Sequence, residues 1–331
     1  MDTGQHDGRS AAAPVIRPLR WDGRTPHPAD IAAVHDVYTR YERSRIGTVD
    51  ASEADTRYYF ELAHVDREET CLLDVSGLPV GSVYVKVDPS VRDVYADIAV
   101  VPGPHEPDAL AAALAHALTA SRRIVARAGE PGWTLRVACW SPDSALSSLL
   151  AAAGLVHVRS FYRMRIDSSS PSIPSVAPEL PPGVEIVVRD DEPTRRAIWK
   201  VDNDAFLDHW NFAPVPYDEW WDDLGTGDSR DRDGWWLLTV DGEPAAICLL
   251  DERRAEMNEG YVGILGVRRE YRRRGLASLL LQRAFVRYRD MGRTSTLLSV
   301  DAQSLTSAVG VYERVGMRVE HVRNGWALEL S

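Results

Sequence analysis

The stretch Tyr261-Val-Gly-Ile-Leu-Gly-Val-Arg-Arg-Glu-Tyr-Arg-Arg-Arg-Gly-Leu-Ala-Ser278 concentrates the residue types best suited to holding an anion. An apolar strand-like run ends in an arginine-rich turn, and a helix opens at Gly275-Leu276-Ala277. The first amides of a helix have no partner inside it and sit at the positive end of its dipole, so they attract negative charge. Gly275 and Ala277 keep bulk away from the backbone, Arg272, Arg273 and Arg274 add charge, and a pyrophosphate is the natural guest. No Gly-Lys-Ser/Thr follows, which argues against a nucleotide-hydrolysing loop. The competing readings are a solvated arginine turn before a surface helix, and a nucleic-acid contact.

The elements that must position this loop follow from periodicity and breakers. In the second half, strands are expected at Val184–Arg189, Trp235–Val240, Ala245–Asp251, Glu259–Val267 and Thr294–Val300. Helices are expected at Glu192–Leu207, Tyr217–Leu224, Leu276–Met291 and Thr306–Val315, with a closing hairpin of Met317–Val322 and Trp326–Leu330. The first half offers Val15–Leu19, Ala29–Arg43, Cys71–Val75, Val80–Val87, Val94–Val101, Ala109–Ala128, Leu135–Trp140, Ser144–Ala153 and Val156–Ile166 in the same order. Hairpins at the front of each half and strand–helix–strand at the back imply an α/β fold of mixed sheets flanked by helices.

The two halves repeat one plan. Asp74-Val-Ser-Gly-Leu-Pro-Val-Gly-Ser-Val-Tyr-Val-Lys-Val-Asp88 returns as Thr239-Val-Asp-Gly-Glu-Pro-Ala-Ala-Ile-Cys-Leu-Leu-Asp251, so that Gly77 and Pro79 correspond to Gly242 and Pro244. Leu149-Leu-Ala-Ala-Ala-Gly-Leu155 matches Val311-Tyr-Glu-Arg-Val-Gly-Met317, each glycine placed to end a helix in the left-handed conformation. His-Val-Arg occurs at 157–159 and again at 321–323. Matches in constant order and at nearly constant offset indicate duplication. Between the halves, Asp167-Ser-Ser-Ser-Pro-Ser-Ile-Pro-Ser-Val-Ala-Pro-Glu-Leu-Pro-Pro182 cannot sustain a helix or central strand and reads as an extended linker. The expected division is a leader over 1–13, a first domain over 14–166, a linker over 167–183 and a second domain over 184–331.

Composition narrows the function classes. Apolar residues make up 44% and charged residues 26% of the 331, which excludes a disordered or fibrous chain. Asp plus Glu number 49 against 38 Lys plus Arg, a formal net charge of −11, which disfavours a protein that coats nucleic acid. Cys71, Cys139 and Cys248 lie far apart without zinc-like spacing, so neither a disulfide framework nor a metal site is expected, and a reducing cytoplasm fits. The longest alanine/leucine stretch, Ala109 to Ala120, is far short of the roughly 20 apolar residues of a membrane span.

Strand–Arg-x-x-Gly-x-Ala–helix, then a strand, then a helix bearing Tyr-Glu-x-x-Gly, resembles the coenzyme-A site of the GCN5-related N-acetyltransferase (GNAT) family. The match covers roughly residues 184–331, and the hairpin repeats extend it as a decayed copy over 15–166. The tandem plan looks most like the mycothiol synthase-like two-domain acetyltransferases. The resemblance implies two tandem domains, each a mixed, mostly antiparallel, splayed sheet flanked by helices, with acetyl-CoA as co-substrate. It further implies that the backbone of Leu265, Gly266 and Val267 pairs with the pantetheine arm. Arg272, Arg273, Arg274, Gly275, Leu276, Ala277 and Ser278 would cradle the pyrophosphate, and the thioester would lie where Glu259–Val267 and Thr294–Val300 part.

Acyl transfer from a thioester to an amine needs a neutral nucleophile, a stabilised oxyanion and a proton for the departing thiolate. Tyr312 matches the family tyrosine that supplies the proton; its phenol, with an ordinary pKa of about 10, is protonated at neutral pH. The alternative is that Tyr312 only packs at the end of its helix. An amide near Val267 would stabilise the oxyanion, as the family fold implies. Strand alternation puts Glu259 and Tyr261 on one face with Gly263, Leu265 and Val267, making Glu259 a candidate base acting through water, with Glu256 behind it. The family's strand carboxylate falls nearer the position of Tyr261, and either glutamate could equally be a solvated carboxylate. Ser304 and Leu305 stand where the family often has an asparagine. In the first half, Val100-Val-Pro-Gly-Pro-His-Glu-Pro107 replaces the arginine/glycine loop and Leu150 replaces Tyr312, so that half is expected to wall the acceptor pocket rather than to catalyse.

Trp199, Trp210, Trp220, Trp221, Trp235 and Trp236, interleaved with acids, could form a lip for a cationic amine or could simply be core. The expected activity is N-acetylation of a small-molecule amine by a monomer or homodimer, with no nucleic-acid or membrane partner. The alternatives are a protein or peptide N-acetyltransferase, and a non-catalytic acyl-CoA-binding protein.

Overall fold

The computed structural model describes residues 12–62, 64–225, 232–303 and 308–330. The leader expected over 1–13 lies, but for its last two residues, outside them. The first half runs β1 (Val15–Pro18), β2 (Trp21–Asp22), β3 (Thr25–Pro26), α1 (Pro28–Ile46), α2 (Glu53–Glu61), β4 (Cys71–Val75), β5 (Leu78–Asp88), β6 (Asp93–Val100), α3 (Glu106–Ala128), β7 (Trp133–Trp140), α4 (Ser144–Ala152) and β8 (Val156–Asp167). The second half repeats the order with β9 (Val184–Val187), α5 (Glu192–Phe206), α6 (Tyr217–Gly225), β10 (Trp235–Val240), β11 (Glu243–Asp251), β12 (Glu259–Val267), α7 (Leu276–Asp290), β13 (Ser295–Asp301), α8 (Ala308–Arg314) and β14 (Arg318–Leu330).

The repeated turns are physically the same turn. Ser76 and Gly77 carry φ of 52° and 81°, and Asp241 and Gly242 carry 51° and 83°, the two positive values that a tight hairpin turn requires. Gly154 and Gly316, at φ 88° and 95°, each stop a helix before a strand, as their spacing predicts. Helix α2 escapes the periodicity reading; its signal was the capping box, in which the Ser52 hydroxyl accepts the Asp55 amide while the Asp55 carboxylate accepts the Ser52 amide.

The halves do not form two closed sheets. A single sheet of 12 strands runs β1-β4-β5-β6-β7-β14-β8-β13-β12-β11-β10-β9. β8, the last strand of the first half, pairs with β13 of the second, and β14, the last strand of the second, pairs with β7 of the first. The two exchanged strands pair antiparallel with each other in the middle. The closing hairpin expected over 317–330 is therefore one long strand. Asn324-Gly325, which looks like a turn, is absorbed because Arg323 to Leu330 find their partner in β7, and the register slips beside Gly325 instead.

Alternation along the strands makes a core on each face. In the first half α3 and α4 cover Leu73, Val83, Ile98 and Leu135, while α1 and α2 cover Leu72, Tyr84, Ala99 and Trp140. In the second half α7 and α8 cover Cys248, Leu250, Val262 and Leu298, while α5 and α6 cover Leu237, Ile247 and Leu249. The linker crosses α7 in extended form. Arg283 donates to Pro178 O, and Arg289 donates to Pro174 O and Ser175 O. No helix among the described residues is long and apolar enough to cross a membrane, and no His/Cys/Asp/Glu group there could hold a metal.

Candidate active site

The loop after β12 delivers an exposed helix start. Gly275, at φ 81°, caps α7 without a side-chain hydrogen bond, and a β-carbon there would meet nothing within 4 Å. The first intrahelical bond is Leu279 N–H to Gly275 O, so the amides of Leu276, Ala277 and Ser278 precede the ladder at the positive end of a 15-residue helix. Leu276 turns its side chain into the core, so only its backbone can touch a ligand. These features fit a diphosphate, because open space and free amides coincide.

The arginines divide by role. Arg272 is not a free cation: its guanidinium donates to Asp208 Oδ2 at 2.6 Å, Ala205 O at 3.0 Å and Val267 O at 3.1 Å. It clamps the loop to the end of α5, and Arg269 joins it on Asp208. Arg273 and Arg274 remain exposed, with Arg274 resting 5.2 Å from the Tyr271 ring, and these two supply the charge.

The strand leading to the loop has a free edge. β12 and β13 are parallel neighbours only at Glu259–Ser295, Gly260–Thr296 and Tyr261–Leu297, then separate. Beyond Tyr261 the peptide groups of β12 on that side have no strand partner, and a peptide-like arm can take their place. Tyr288 of α7 marks the point of parting. Its ring lies under Gly260, where a β-carbon would come within 2.3 Å, and its hydroxyl lies 2.9 Å from Tyr261 O and 3.1 Å from Asp251 N.

A bulge overturns the simple alternation expected along β12. Leu249 pairs with Ile264 and Leu250 with Val262, leaving Gly263 as the extra residue. Leu265 and Val267 consequently face α7, whereas Ile264 faces α5 and Tyr261 opens on the opposite side from Leu265. Glu259 does not share a face with Leu265 and Val267, and its carboxylate is occupied. Oε1 accepts from Arg165 at 2.6 Å and Oε2 from Arg254 at 2.6 Å, with Ser295 Oγ at 3.4 Å. Two guanidiniums make it an ion-pair anchor at the base of the splay. The fallback Glu256 lies in the short 3-10 turn Ala255–Met257.

Tyr312 of α8 is 8% exposed and packs in the α7-side core near Cys248. Burial, with a smaller contribution from Cys248, pushes its phenol up to about 12. Among the described residues its hydroxyl has no hydrogen-bond partner. The Ser304–Leu305 departure lies outside the described residues.

Between the halves lies a cavity of about 190 Å³, bounded by α1, α2, β6, β8, the turn after β11 and the tip of Tyr261. Arg163 of β8 stands 5.3 Å from the Tyr261 ring and pairs with Asp50, while Arg253 stacks 4.1 Å from Tyr58 and pairs with Asp251. At the other end lie Tyr38, Glu42, Asp97 and Arg323. Asp97 ends the paired part of β6 and β7 as Tyr261 ends that of β12 and β13, so the two are register counterparts. Sequence reasoning missed Arg163, Arg253 and Glu42, because nothing local distinguishes them from surface charges.

The tryptophan-rich segment is mostly core. Trp220, Trp235 and Trp236 are buried, and Asp202, its carboxyl pushed up to about 6 by burial, accepts from Trp220 Nε1. Trp210 is the exception. It is held between the guanidiniums of Arg136 and Arg159 at 4.5 and 4.8 Å, docking the second half on the first.

The first half has no matching anion seat. His105 folds its ring over Gly103 and toward Val101 O, Pro107 withholds an amide in the first turn of α3, and Glu106 places a carboxylate there.

Residues 195–317 match the Acetyltransferase (GNAT) family. A Mycothiol acetyltransferase from Cellulomonas flavigena is 29% identical over 256 residues, spanning 70% of this chain and 67% of that protein. Among solved structures, a GCN5-related N-acetyltransferase from Sphaerobacter thermophilus superposes with a TM-score of 0.75 at 23% identity, covering 96% of this chain and 95% of that one. A tandem GNAT protein from the clavulanic acid biosynthesis pathway gives 0.71 at 14% identity, covering 96% and 98%. At those identities the structural likeness is one of fold.

Proposed function

Starting from a chain that is a tandem-domain acyltransferase of the GNAT family, we propose that it moves an acetyl group from acetyl-CoA to the amine of a small molecule. The observation that carries this reading is the open start of α7 beside a β12 edge that loses its partner after Tyr261. The amides of Leu276, Ala277 and Ser278, with Gly275, Arg273 and Arg274, hold the diphosphate. Arg272 fixes the loop, and Leu265, Gly266 and Val267 offer their backbone to the pantetheine arm. Acetyl-CoA supplies an activated acyl group on a thiol leaving group.

Tyr312 acts as the proton donor to the departing thiolate. Its raised pKa keeps it protonated across the physiological range, and its hydroxyl has no hydrogen-bond partner among the described residues. The amine enters from the inter-half cavity and meets the wedge at Tyr261. With Glu259 held by two arginines, no carboxylate base is assigned. Arg163 and Arg253 lie beside the entry point, and nearby positive charge lowers the pKa of a bound ammonium, favouring the neutral nucleophile. The first half walls the acceptor site. A small acceptor is favoured over a peptide because the cavity between the halves, lined in part by α1 and α2, holds only about 190 Å³, and because a relative is named for mycothiol.

Acetyl-CoA at 100 times its Kd should stabilise the fold by about 2.7 kcal/mol. Release of free coenzyme A across an amine panel then separates an enzyme from a binder. A protein that acetyl-CoA leaves unshifted, or that turns over peptides and no small amine, contradicts the proposal.

A further inference from the structure

The inter-half cavity is electrically two-ended. At the Tyr261 end, Arg163 uses Nη2 on Asp50, while Nη1 makes no hydrogen bond among the described residues. Arg253 uses Nε on Asp251, its Nη1 stands 3.8 Å from Asp55 without a hydrogen bond, and Nη2 makes no hydrogen bond among the described residues. Asp50 gives Oδ2 to Arg163 and has Oδ1 3.7 Å from Arg254, and Asp55 gives Oδ2 to the amide and hydroxyl of Ser52 and keeps Oδ1 3.8 Å from Arg253, so three guanidiniums line this end against two carboxylates. Two guanidiniums thus face the entry point with donors to spare, and both are largely withdrawn from bulk water.

The far end is the reverse. Glu42 accepts the Asp50 and Ala51 amides on Oε2 at 2.7 and 3.0 Å, and Oε1 accepts nothing among the described residues. Asp97 gives Oδ1 to Arg323 and keeps Oδ2 open, and the Tyr38 hydroxyl is without a partner there. Arg323 is held on Asp97 through Nη2 and leaves its Nε without a partner among the described residues, so this end carries two carboxylates against one guanidinium.

We propose that the acceptor is an α-amino acid with a cationic side chain. Its carboxylate is gripped by Arg163 and Arg253, its α-amine is presented at Tyr261, and its distal cation is taken by Glu42 and Asp97. This rests on the acetyl-transfer reading above and names the substrate class of that same site. In the reaction the amine nitrogen forms a bond to the acetyl carbon as the carbon–sulfur bond breaks. The amine gives up one proton, and the thiolate gains one. Gripping the carboxylate fixes the α-amine at the wedge, and the same guanidiniums favour its neutral form. The raised pKa of Glu42, up to about 7 through burial and Asp50, describes the cavity without a ligand; a bound cation would return the carboxylate to its charged form.

The test is steady-state coenzyme A release by the full chain at saturating acetyl-CoA. The panel is L-arginine and L-ornithine, against agmatine and putrescine, which lack the carboxylate, and L-norleucine, which lacks the distal cation. We expect kcat/KM for the two basic amino acids to exceed the others by about 10- to 100-fold, the range for losing one charged hydrogen-bonding partner. Arg163→Gln, or Arg253→Gln if the former does not fold, should raise KM for ornithine about 10-fold while leaving KM for acetyl-CoA unchanged. Glu42→Gln should raise KM for ornithine and not for norleucine. The inference is overturned if agmatine or putrescine is turned over as well as the amino acids, if no panel amine releases coenzyme A, or if the arginine variants lower kcat for every amine alike at constant KM. Failure of acetyl-CoA to stabilise the protein sinks the underlying reading instead, so the two failures are distinguishable.

Discussion

At the scale of single residues, the decisive quantity is which polar groups are already spent. Tyr312 and Glu259 both looked chemical in the sequence, yet one has a hydroxyl without a partner among the described residues and the other is locked between Arg165 and Arg254. Tyr312→Phe should lower kcat for coenzyme A release by roughly 10²-fold, within the range for removing a general acid, with little change in KM for acetyl-CoA. A variant as fast as wild type near neutral pH would leave Tyr312 a packing residue. Because burial pushes the phenol up to about 12, the wild-type alkaline limb should lie well above pH 10. Glu42 gives a stability prediction. Its carboxyl is raised from 4.5 to about 7 by burial and by Asp50, so between those values the folded chain keeps a proton that the unfolded chain has released. Stability therefore declines as pH rises through that window and levels off above it. Glu42→Gln, which can still accept both amides, should raise Tm at pH 8, by up to about 3 kcal/mol in stability, and leave it nearly unchanged at pH 4. Equal effects at both pH values would contradict the assignment.

At the scale of elements, the loop between β12 and α7 separates structural charge from binding charge. Arg272→Met removes the clamp onto Asp208 and Ala205, and should lower both thermal stability, by about 2 kcal/mol, and acetyl-CoA affinity. Replacing exposed Arg273 and Arg274 with Gln should weaken acetyl-CoA binding and flatten its salt dependence while leaving Tm within a degree or two. Calorimetric titration of both variants at two salt concentrations makes the comparison. The bulge at Gly263 is the other lesson at this scale. Strand periodicity predicts one continuous face from Glu259 to Val267, and a single extra residue divides it, giving Tyr261 to the acceptor side and Leu265 and Val267 to the α7 side.

At the scale of the whole molecule, the strand exchange governs cooperativity. Each half's sheet is completed by the last strand of the other, so neither can unfold without exposing an unpaired edge in its partner. Differential scanning calorimetry should show one transition, and saturating acetyl-CoA, on the proposal that the second half binds it, should raise it as a single peak. Two resolved transitions, with only one moved by the ligand, would show that the halves are energetically separate.

The sequence by itself determined the elements, the repeated turns and the glycine-started helix after the arginine turn, because each is written in local chemistry. The paired positive-φ hairpins at Gly77 and Gly242, the left-handed stops at Gly154 and Gly316, and the glycine-started helix after Arg274 depend only on neighbouring residues. Tertiary structure alone decided the partner of each terminal strand. A duplicated chain offers β7 and β13 two similar candidates, and the choice rests on long-range pairing that no local pattern encodes. It also decided that Arg272 is a clamp, that Glu259 is neutralised, and that Arg163, Arg253 and Glu42 share one cavity. A side chain's chemical availability depends on what surrounds it, and those surroundings come from segments 113 and 94 residues away in the chain.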